Sequence, residues 1–119
     1  MPITQKRLAG PSQLTASSAV YYTVPINTTT IVKQIILTNT TSTARTVTVR
    51  LKPLNVTEAA THDILSTMTI AAYETIAFNC SLVMNNNGST ANATNSDQLT
   101  ALCSAATAVN MTVVGIEET

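Results

Sequence analysis

The most constraining feature of the sequence is the segment 20–40, VYYTVPINTTTIVKQIILTNT, which predicts two β-strands separated by a tight turn. Apolar and β-branched residues recur in it as they do in strands, whose side chains point to alternate faces of a sheet. Pro25 cannot donate a hydrogen bond to a sheet and therefore ends the first strand. The second strand, residues 31–39, has apolar residues on both faces, with Val32 and Ile36 on the same one, which favours a central strand or a contact surface.

Shorter stretches of the same kind fill the rest of the chain. Residues 45–51 alternate most cleanly, and four more strands are expected at residues 64–70, 75–80, 99–103 and 109–116, the last two forming a hairpin. A short helical turn is expected near residues 57–60. Turn signals recur every eight to twelve residues or so, a spacing typical of all-β folds. The sequence therefore predicts an antiparallel β-sandwich or jelly roll of about seven or eight short strands.

The N-terminal residues 1–18 are expected to form an extended arm in front of a single sandwich domain, residues 19–119. Gly10–Pro11 predicts a turn within the arm. Leu8 and Leu14 are among its few large apolar residues. The arm can pack along the edge of the sandwich or reach a neighbouring subunit, and the sequence does not choose between these placements.

The balance of charge excludes several classes of partner. Only 10% of the residues are charged, against about 25% in an average protein, and the formal net charge is zero. A nucleic-acid partner is not expected, because the chain lacks a basic excess. No membrane span is expected, and the absence of a secretory signal predicts synthesis in a host cytoplasm. Weak charge repulsion favours association, which suits a subunit of an assembly.

The sequence contains no convincing catalytic or metal-binding pattern. His62 and Asp63 lie near Ser66, but a catalytic triad needs a nucleophile and an orienting group that converge, and no nucleophile elbow surrounds this serine. Cys80 and Cys103 lack the closely spaced ligand pairs of structural zinc sites. We therefore expect no enzymatic activity, cofactor or metal. A disulfide between the two cysteines stays open and requires that their strands be neighbours.

Two further features could bind a ligand, and each has a structural alternative. The polar segment 84–97 offers many side-chain oxygens, but calcium sites need several carboxylates and only Asp97 supplies one, so a mobile surface loop is expected. Tyr21, Tyr22 and Tyr73 could stack on sugars, as in β-sandwich lectins, or could pack at the rim of the core with their hydroxyl groups in water.

Candidate contact residues come from the arm, from the two-faced strand and from a basic strip that includes Arg45 on the outer face of strand 45–51. The strip could bind an acidic partner, or it could be solvated or face Glu or Asp residues of the same chain. The predicted protein-contact residues are Lys6, Arg7, Leu8, Leu14, Val32, Ile36, Arg50 and Lys52.

Three stretches, KRLAGPSQL, YYTVPINTTTIVKQIILTNT and AVNMTVVGIE, give the chain a family resemblance. In them the sequence resembles a group of small tailed-bacteriophage virion proteins, which share a short arm, a Tyr-Thr-Val-Pro strand, an Asn-Thr-Thr turn and a closing Val-x-Gly-Ile/Val-Glu strand. The resemblance spans the whole chain and departs at residues 85–97, which look like a local insertion. It implies a structural role in a virion with no catalytic residues.

Together these observations predict a non-enzymatic virion protein that decorates or cements a phage capsid lattice. Its expected partners are further copies of itself and the major capsid protein. A tail or baseplate component of the same virion is the alternative, and a carbohydrate-binding module for host adhesion is the candidate from a different class.

Overall fold

The computed structural model describes residues 3–119 and consists almost entirely of β-strands. A single short 3₁₀ helix, Ala60–His62, interrupts them between the fourth and fifth strands. The strands are β1 (Ile3–Gln13), β2 (Ala19–Thr23), β3 (Thr29–Asn39), β4 (Arg45–Lys52), β5 (Asp63–Ile70), β6 (Thr75–Asn85), β7 (Gln98–Cys103) and β8 (Val109–Glu118). The helical turn thus begins at the last of the expected residues 57–60 and extends two residues beyond them.

The strands form two four-stranded antiparallel sheets. Sheet A has the order β1-β8-β3-β6 and sheet B has the order β2-β7-β4-β5. Every connection crosses from one sheet to the other except the one between β4 and β5. Eight strands in this order, in two facing sheets, make a jelly roll. The predicted all-β sandwich of seven or eight strands is therefore confirmed, and its topology is that of a jelly roll.

Two predicted strand pairings are wrong. Strands β2 and β3, which the sequence suggested as a pair, lie in different sheets, and so do β7 and β8, which were expected to form a hairpin. Alternation identifies the face that a strand buries and carries no information about its neighbour. Because facing sheets lie only about 10 Å apart, a short connection such as residues 104–108 can reach the opposite sheet.

Residues 3–13 of the predicted arm form the edge strand β1 of sheet A. This strand pairs with β8 over its length, from Ile3 opposite Glu118 to Gln13 opposite Asn110. The expected turn at Gly10–Pro11 is instead an irregularity within the strand, where the pairing register shifts. Of the two placements open for the arm, residues 3–13 thus follow the edge of the sandwich. The part of the arm before Ile3 lies outside the described residues.

A β-bulge in β3 changes which apolar residues of this strand share a face, and the strand is a central one, as one of the two predicted alternatives required. The pairing register of β3 shifts between Val32 and Gln34, which adds Lys33 as an extra residue. The shift changes the phase of the alternation, so Val32 and Ile35 both point into the core. Ile36 lies on the outer face of sheet A and is half-buried.

The core between the sheets is aliphatic, as the scarcity of aromatic residues predicts. Tyr22 is its only buried aromatic side chain within residues 3–119. The largest completely buried side chains are Leu14, Ile35, Leu37, Ile70, Met84, Leu99 and Met111.

Strand β6 extends beyond the predicted residues 75–80, because Leu82 and Met84 continue the alternation and Met84 is completely buried. The polar segment that follows is held by a β-bridge between Asn86 and Ser96. Side-chain amides reinforce it, with Asn87 Nδ2 donating to Asn95 Oδ1 at 2.9 Å. This segment is therefore partly an ordered extension of the sheet.

Candidate assembly surfaces

Arg50, in the predicted basic strip on β4, is neutralised within the chain. Arg50 Nε lies 2.6 Å from Asp63 Oδ1, and Arg50 Nη1 lies 3.4 Å from Glu58 Oε1. Both carboxylates belong to the connection between β4 and β5 or to the strand that follows it. Arg50 therefore faces Glu and Asp residues of the same chain, which was one of the predicted alternatives for the strip, and it is not free to bind an acidic partner. Within residues 3–119 the Arg45 side chain hydrogen-bonds only to the Thr41 hydroxyl.

Glu58 ties this connection to the outer face of sheet B. Its Oε2 accepts hydrogen bonds from Ser18 Oγ at 2.8 Å and from the Thr100 hydroxyl. Burial alone would raise the pKa of Glu58, but these hydroxyl groups and the charge of Arg50 outweigh it and lower the pKa below its ordinary value. Lys52 is nine-tenths buried, and its amine has no hydrogen-bond partner among residues 3–119. Its prediction as a contact residue is wrong, because it is not accessible.

A second polar network joins the two sheets at the opposite edge. Tyr22 donates a hydrogen bond to Glu117 Oε2, and its hydroxyl lies 2.7 Å from Thr30 Oγ1. Lys6 Nζ lies 3.1 Å from Glu117 Oε1. Burial, with the neighbouring Glu117 carboxylate, raises the pKa of Tyr22 well above its ordinary value. The network connects β1, β2, β3 and β8, so the predicted contact residue Lys6 has a structural role.

Replacement of Tyr22 by Phe is expected to lower the free energy of unfolding by about 1–3 kcal/mol at neutral pH, because it removes a hydrogen bond to a charged group. The pKa of Tyr22 is higher in the folded than in the unfolded state, where it is about 10. The stabilisation that the Tyr22 hydroxyl gives the folded state is therefore fully present below about pH 10 and is lost as the pH rises further. Urea unfolding of both proteins between pH 7 and 11 measures this difference, which should shrink above pH 10.

The matched control is Tyr21→Phe. The Tyr21 hydroxyl makes only long hydrogen bonds, of 3.3 Å to Thr15 N and 3.5 Å to Gln13 O. Loss of this hydroxyl should lower the free energy of unfolding by less than loss of the Tyr22 hydroxyl does. Equal losses for the two variants would contradict the role of the Tyr22–Glu117 hydrogen bond. So would a Tyr22→Phe effect that stays the same up to pH 11.

The outer face of sheet A contains a groove of about 470 Å³, which we call the basic groove; it is lined by Gln5, Lys6, Lys33, Val114, Gly115 and Ile116. Arg7 pairs with Val114 and borders it. Neither Arg7 nor Lys33 has an acidic partner in the part of the chain that the structure describes. An apolar row adjoins the groove, in which Ile31 is paired with Ile116 on one side and with Val83 on the other.

Strand β6 is the longest uncharged edge of the sandwich, and we call its unpaired side the β6 edge. Its 11 residues, TIAFNCSLVMN, contain no charged residue, proline or glycine. It pairs with β3 on one side only. The edge strand β1 is equally long but contains Lys6 and Arg7 and two register shifts. The other two edge strands are β2, with only five residues, and β5, which begins with Asp63.

The turn between β5 and β6, residues 71–74, exposes an aromatic side chain, and we call it the Tyr73 turn. Tyr73 is 70% exposed and has a φ of +57°. Glu74 Oε1 accepts a hydrogen bond from Ala71 N at 2.9 Å and has no cationic partner within residues 3–119. Because Tyr22 is buried and Tyr21 is partly buried against the core, Tyr73 is the tyrosine with the most exposed aromatic ring.

The remaining candidate residues have structural surroundings. His62 Nδ1 accepts a hydrogen bond from Ala59 N at 3.2 Å, and the neighbouring Asp63 pairs with Arg50. Cys80 and Cys103 are free thiols on different sheets. Across residues 3–119 there is no group of three or more His, Cys, Asp or Glu side chains placed to hold a metal ion. The same residues contain no helix long and apolar enough to cross a membrane.

The other predicted contact residues divide by burial. Leu14 and Val32 are completely buried, so their prediction as contact residues is wrong; they belong to the core. Leu8 is half-buried against the core, and Ile36 is half-buried on the outer face of sheet A. Arg7 is exposed. The contact role of Lys6, Arg7, Leu8 and Ile36 stays a prediction.

Sequence reasoning missed the β6 edge, and it weighed Tyr73 only as a sugar-stacking residue. The continuing alternation at Leu82 and Met84 was a signal for the full length of β6. Which strands become edges, however, depends on strand order, and the sequence pattern does not contain it.

No protein-family model matches the chain, and no curated protein matches it significantly. Several solved structures share its fold. A chain from the disulfide-linked pili of Bacillus endospore appendages has a TM-score of 0.56 and 19% identity, covering 98% of this chain and 88% of that one. A chain of infectious bursal disease virus, Gx strain, has a TM-score of 0.55 and 11% identity, covering 98% of this chain and 32% of that one.

A third match, from the T13 particle of infectious bursal disease virus, has a TM-score of 0.52 and 10% identity and covers 98% of this chain and 30% of the viral chain. At these identities the similarity establishes the fold alone. The protein therefore belongs to the class of jelly-roll proteins. The three proteins belong to a pilus and to viral particles, and none of the three is a tailed-bacteriophage protein.

Proposed function

We propose that this protein is a non-enzymatic structural subunit that assembles with further copies of itself, and the observation that carries the proposal is the β6 edge. An edge strand presents unpaired backbone N–H and C=O groups that can pair with another chain. Soluble proteins usually protect long edges with Lys, Pro, bulges or a covering loop. The β6 edge has 11 residues and none of its own residues is charged or a proline.

The geometry of the sandwich allows both a closed and an open assembly, because a β6 edge can pair with a second β6 edge in a symmetric dimer or with a different side of the next copy. Strands β6 and β5 lie at one side of the two sheets, and β1 and β2 lie at the other. Pairing between the β6 side of one copy and the opposite side of the next joins two different surfaces. A contact of this kind generates rings or filaments, depending on whether the rotation between copies closes.

The structural neighbours support this class of function, because each of the three is part of a pilus or a viral particle. Within the class, we assign the protein to a virion, where it decorates or cements the capsid lattice by docking on the major capsid protein. A tail or baseplate component is the alternative. The assignment to a bacteriophage rests on the sequence resemblance alone. Electron microscopy of the purified protein, alone and mixed with capsids, separates a filament from a capsid-bound subunit.

The decisive test adds charge to the edge. Ala77 and Asn79 are exposed residues of β6, and lysine is the residue that native edges use most to prevent pairing. We expect the Ala77→Lys/Asn79→Lys variant to remain folded and to elute as a 12.5 kDa monomer at concentrations where the wild type forms larger species. Size-exclusion chromatography with light scattering measures the mass, and circular dichroism confirms the fold.

The control is Thr57→Lys/Ser89→Lys, which adds the same charge at exposed residues outside β6. This variant should assemble like the wild type. A wild type that stays monomeric at high concentration and does not bind capsids, or two lysine variants that behave alike, would refute the role of the β6 edge.

A further inference from the structure

The Tyr73 turn contains a residue that the fold itself does not favour. A φ of +57° suits Gly or Asn, and it is unusual for a bulky side chain because Cβ approaches the backbone. The ring is 70% exposed and therefore recovers little of this cost by burial. Exposed tyrosines are among the residues that most often contribute binding energy when a partner buries them. The turn thus presents an exposed aromatic side chain that contributes little to the stability of its own subunit.

The basic groove offers a surface of matching chemistry. Its floor consists of Val114, Gly115 and Ile116, and a volume of about 470 Å³ accommodates a tyrosine ring. Lys33 and Arg7 border it without an acidic partner within residues 3–119. Gln5 supplies a side-chain amide that can accept a hydrogen bond from a phenol.

We propose that the Tyr73 turn of one copy docks in the basic groove of the next copy, with the Tyr73 ring on the apolar floor and Glu74 beside Lys33 and Arg7. The inference rests on the proposed self-assembly and names a second contact within it. Glu74 has no cationic partner within residues 3–119, and two of the cations at the groove, Lys33 and Arg7, have no acidic one, so the two surfaces are electrostatically complementary.

The contact must form between copies. The Tyr73 turn precedes Thr75, which lies in the same row of sheet A as Asn110. The groove lies farther along β8, around Ile116. The row of Asn110 and the row of Ile116 are six strand residues apart, or about 20 Å. The Tyr73 turn cannot reach across this distance to the groove of its own subunit. Because the turn and the groove are different surfaces, the contact joins copies head to tail, in a ring or a filament.

A charge exchange tests the contact. We expect Glu74→Lys and Lys33→Glu each to raise the concentration required for assembly by about tenfold, since each places like charges together. In the double variant the opposite charges meet again, and assembly should return to within about threefold of the wild type. Light scattering over a dilution series measures the threshold, and thermal unfolding of each variant confirms that the monomer is intact.

Tyr73→Asn separates binding from folding. Asparagine tolerates the left-handed backbone, so this variant should unfold at the same temperature as the wild type or above it. Its assembly threshold should nevertheless rise about tenfold, as expected for the loss of an aromatic anchor.

Three outcomes would overturn the inference. In the first, the wild type assembles through the β6 edge but neither Tyr73→Asn nor the charge exchange changes the threshold; self-assembly then stands and this contact does not. In the second, Tyr73→Asn abolishes binding to a glycan array without affecting assembly, which assigns the turn to a sugar. In the third, the wild type does not assemble, and the proposed function fails with the inference.

Discussion

Substitution of Asn39 by aspartate is expected to lower the free energy of unfolding by about 3–5 kcal/mol, although the two side chains have nearly the same shape. Asn39 is completely buried at the end of β3. Its Nδ2 donates to three backbone carbonyl oxygens, those of Thr43 at 2.9 Å, Ile70 at 3.1 Å and Ala71 at 3.2 Å.

The other half of the Asn39 amide is equally engaged. Oδ1 accepts hydrogen bonds from Thr41 N at 2.9 Å and Thr41 Oγ1 at 2.7 Å. A carboxylate keeps these two acceptor contacts but directs its second oxygen, and its charge, at three carbonyl oxygens. The amide therefore links the β3–β4 connection to the β5–β6 turn. This link requires a side chain with an N–H donor on one side and an oxygen acceptor on the other, which an amide has and a carboxylate does not.

Chemical denaturation of the wild type and Asn39→Asp measures the loss. With a total stability of about 5–15 kcal/mol for a domain, this substitution removes a large part of it. The control is Asn79→Asp, because Asn79 is exposed and its Oδ1 only accepts a hydrogen bond, from Gln34 Nε2 at 2.8 Å. The control should change stability by less than about 0.5 kcal/mol, and equal effects at both positions would contradict the role of the Asn39 amide.

Substitution of Gly115 by alanine is the second change with a large expected effect, about 3 kcal/mol or more. Gly115 lies in β8 between Lys6 of β1 and Val32 of β3. A Cβ atom there would lie 2.2 Å from Ile31 O and 2.9 Å from Leu8 Cδ1. The carbonyl of Ile31 belongs to a central strand and cannot move aside without disturbing its pairing with β6 and β8.

Gly88→Ala is the appropriate comparison for Gly115→Ala. Gly88 has a φ of +91°, but the space around it is open, and the nearest atom to an added Cβ would be Asn27 Oδ1 at 3.5 Å. Its substitution should cost about 1 kcal/mol through backbone conformation alone. Urea unfolding of both variants separates a steric from a conformational cost. If Gly115→Ala is no less stable than Gly88→Ala, the close packing of β8 against β3 is refuted.

Much of the secondary structure followed from local sequence. Alternation in residues 45–51 located β4, and Pro25 marked the end of the strand that includes Tyr22, because a proline cannot continue a sheet ladder. The aliphatic core followed from the composition, since few aromatic residues were available to fill it. These inferences succeeded because the signal and the structure lie within a few residues of each other.

The candidate site was predicted less well. Val32 and Ile36 were assigned to the same face, but the bulge at Lys33 places Val32 in the core and leaves Ile36 outside. Lys52 was expected on an open strand face and is covered by the β4–β5 connection, whose Glu58 neutralises the neighbouring Arg50. Both errors arise because alternation describes an ideal strand, whereas a bulge or a covering connection is set by distant partners.

The sequence by itself determined that this chain forms short strands with one face buried, because the alternation of apolar residues requires it. Only the tertiary structure decided which strands are neighbours. Strand order makes β6 an edge, brings Lys33 beside Val114 and Gly115, and places Tyr73 on an exposed turn. The physical reason is that burial of an apolar face is a local property of a strand, whereas hydrogen bonding between strands joins residues far apart in the chain.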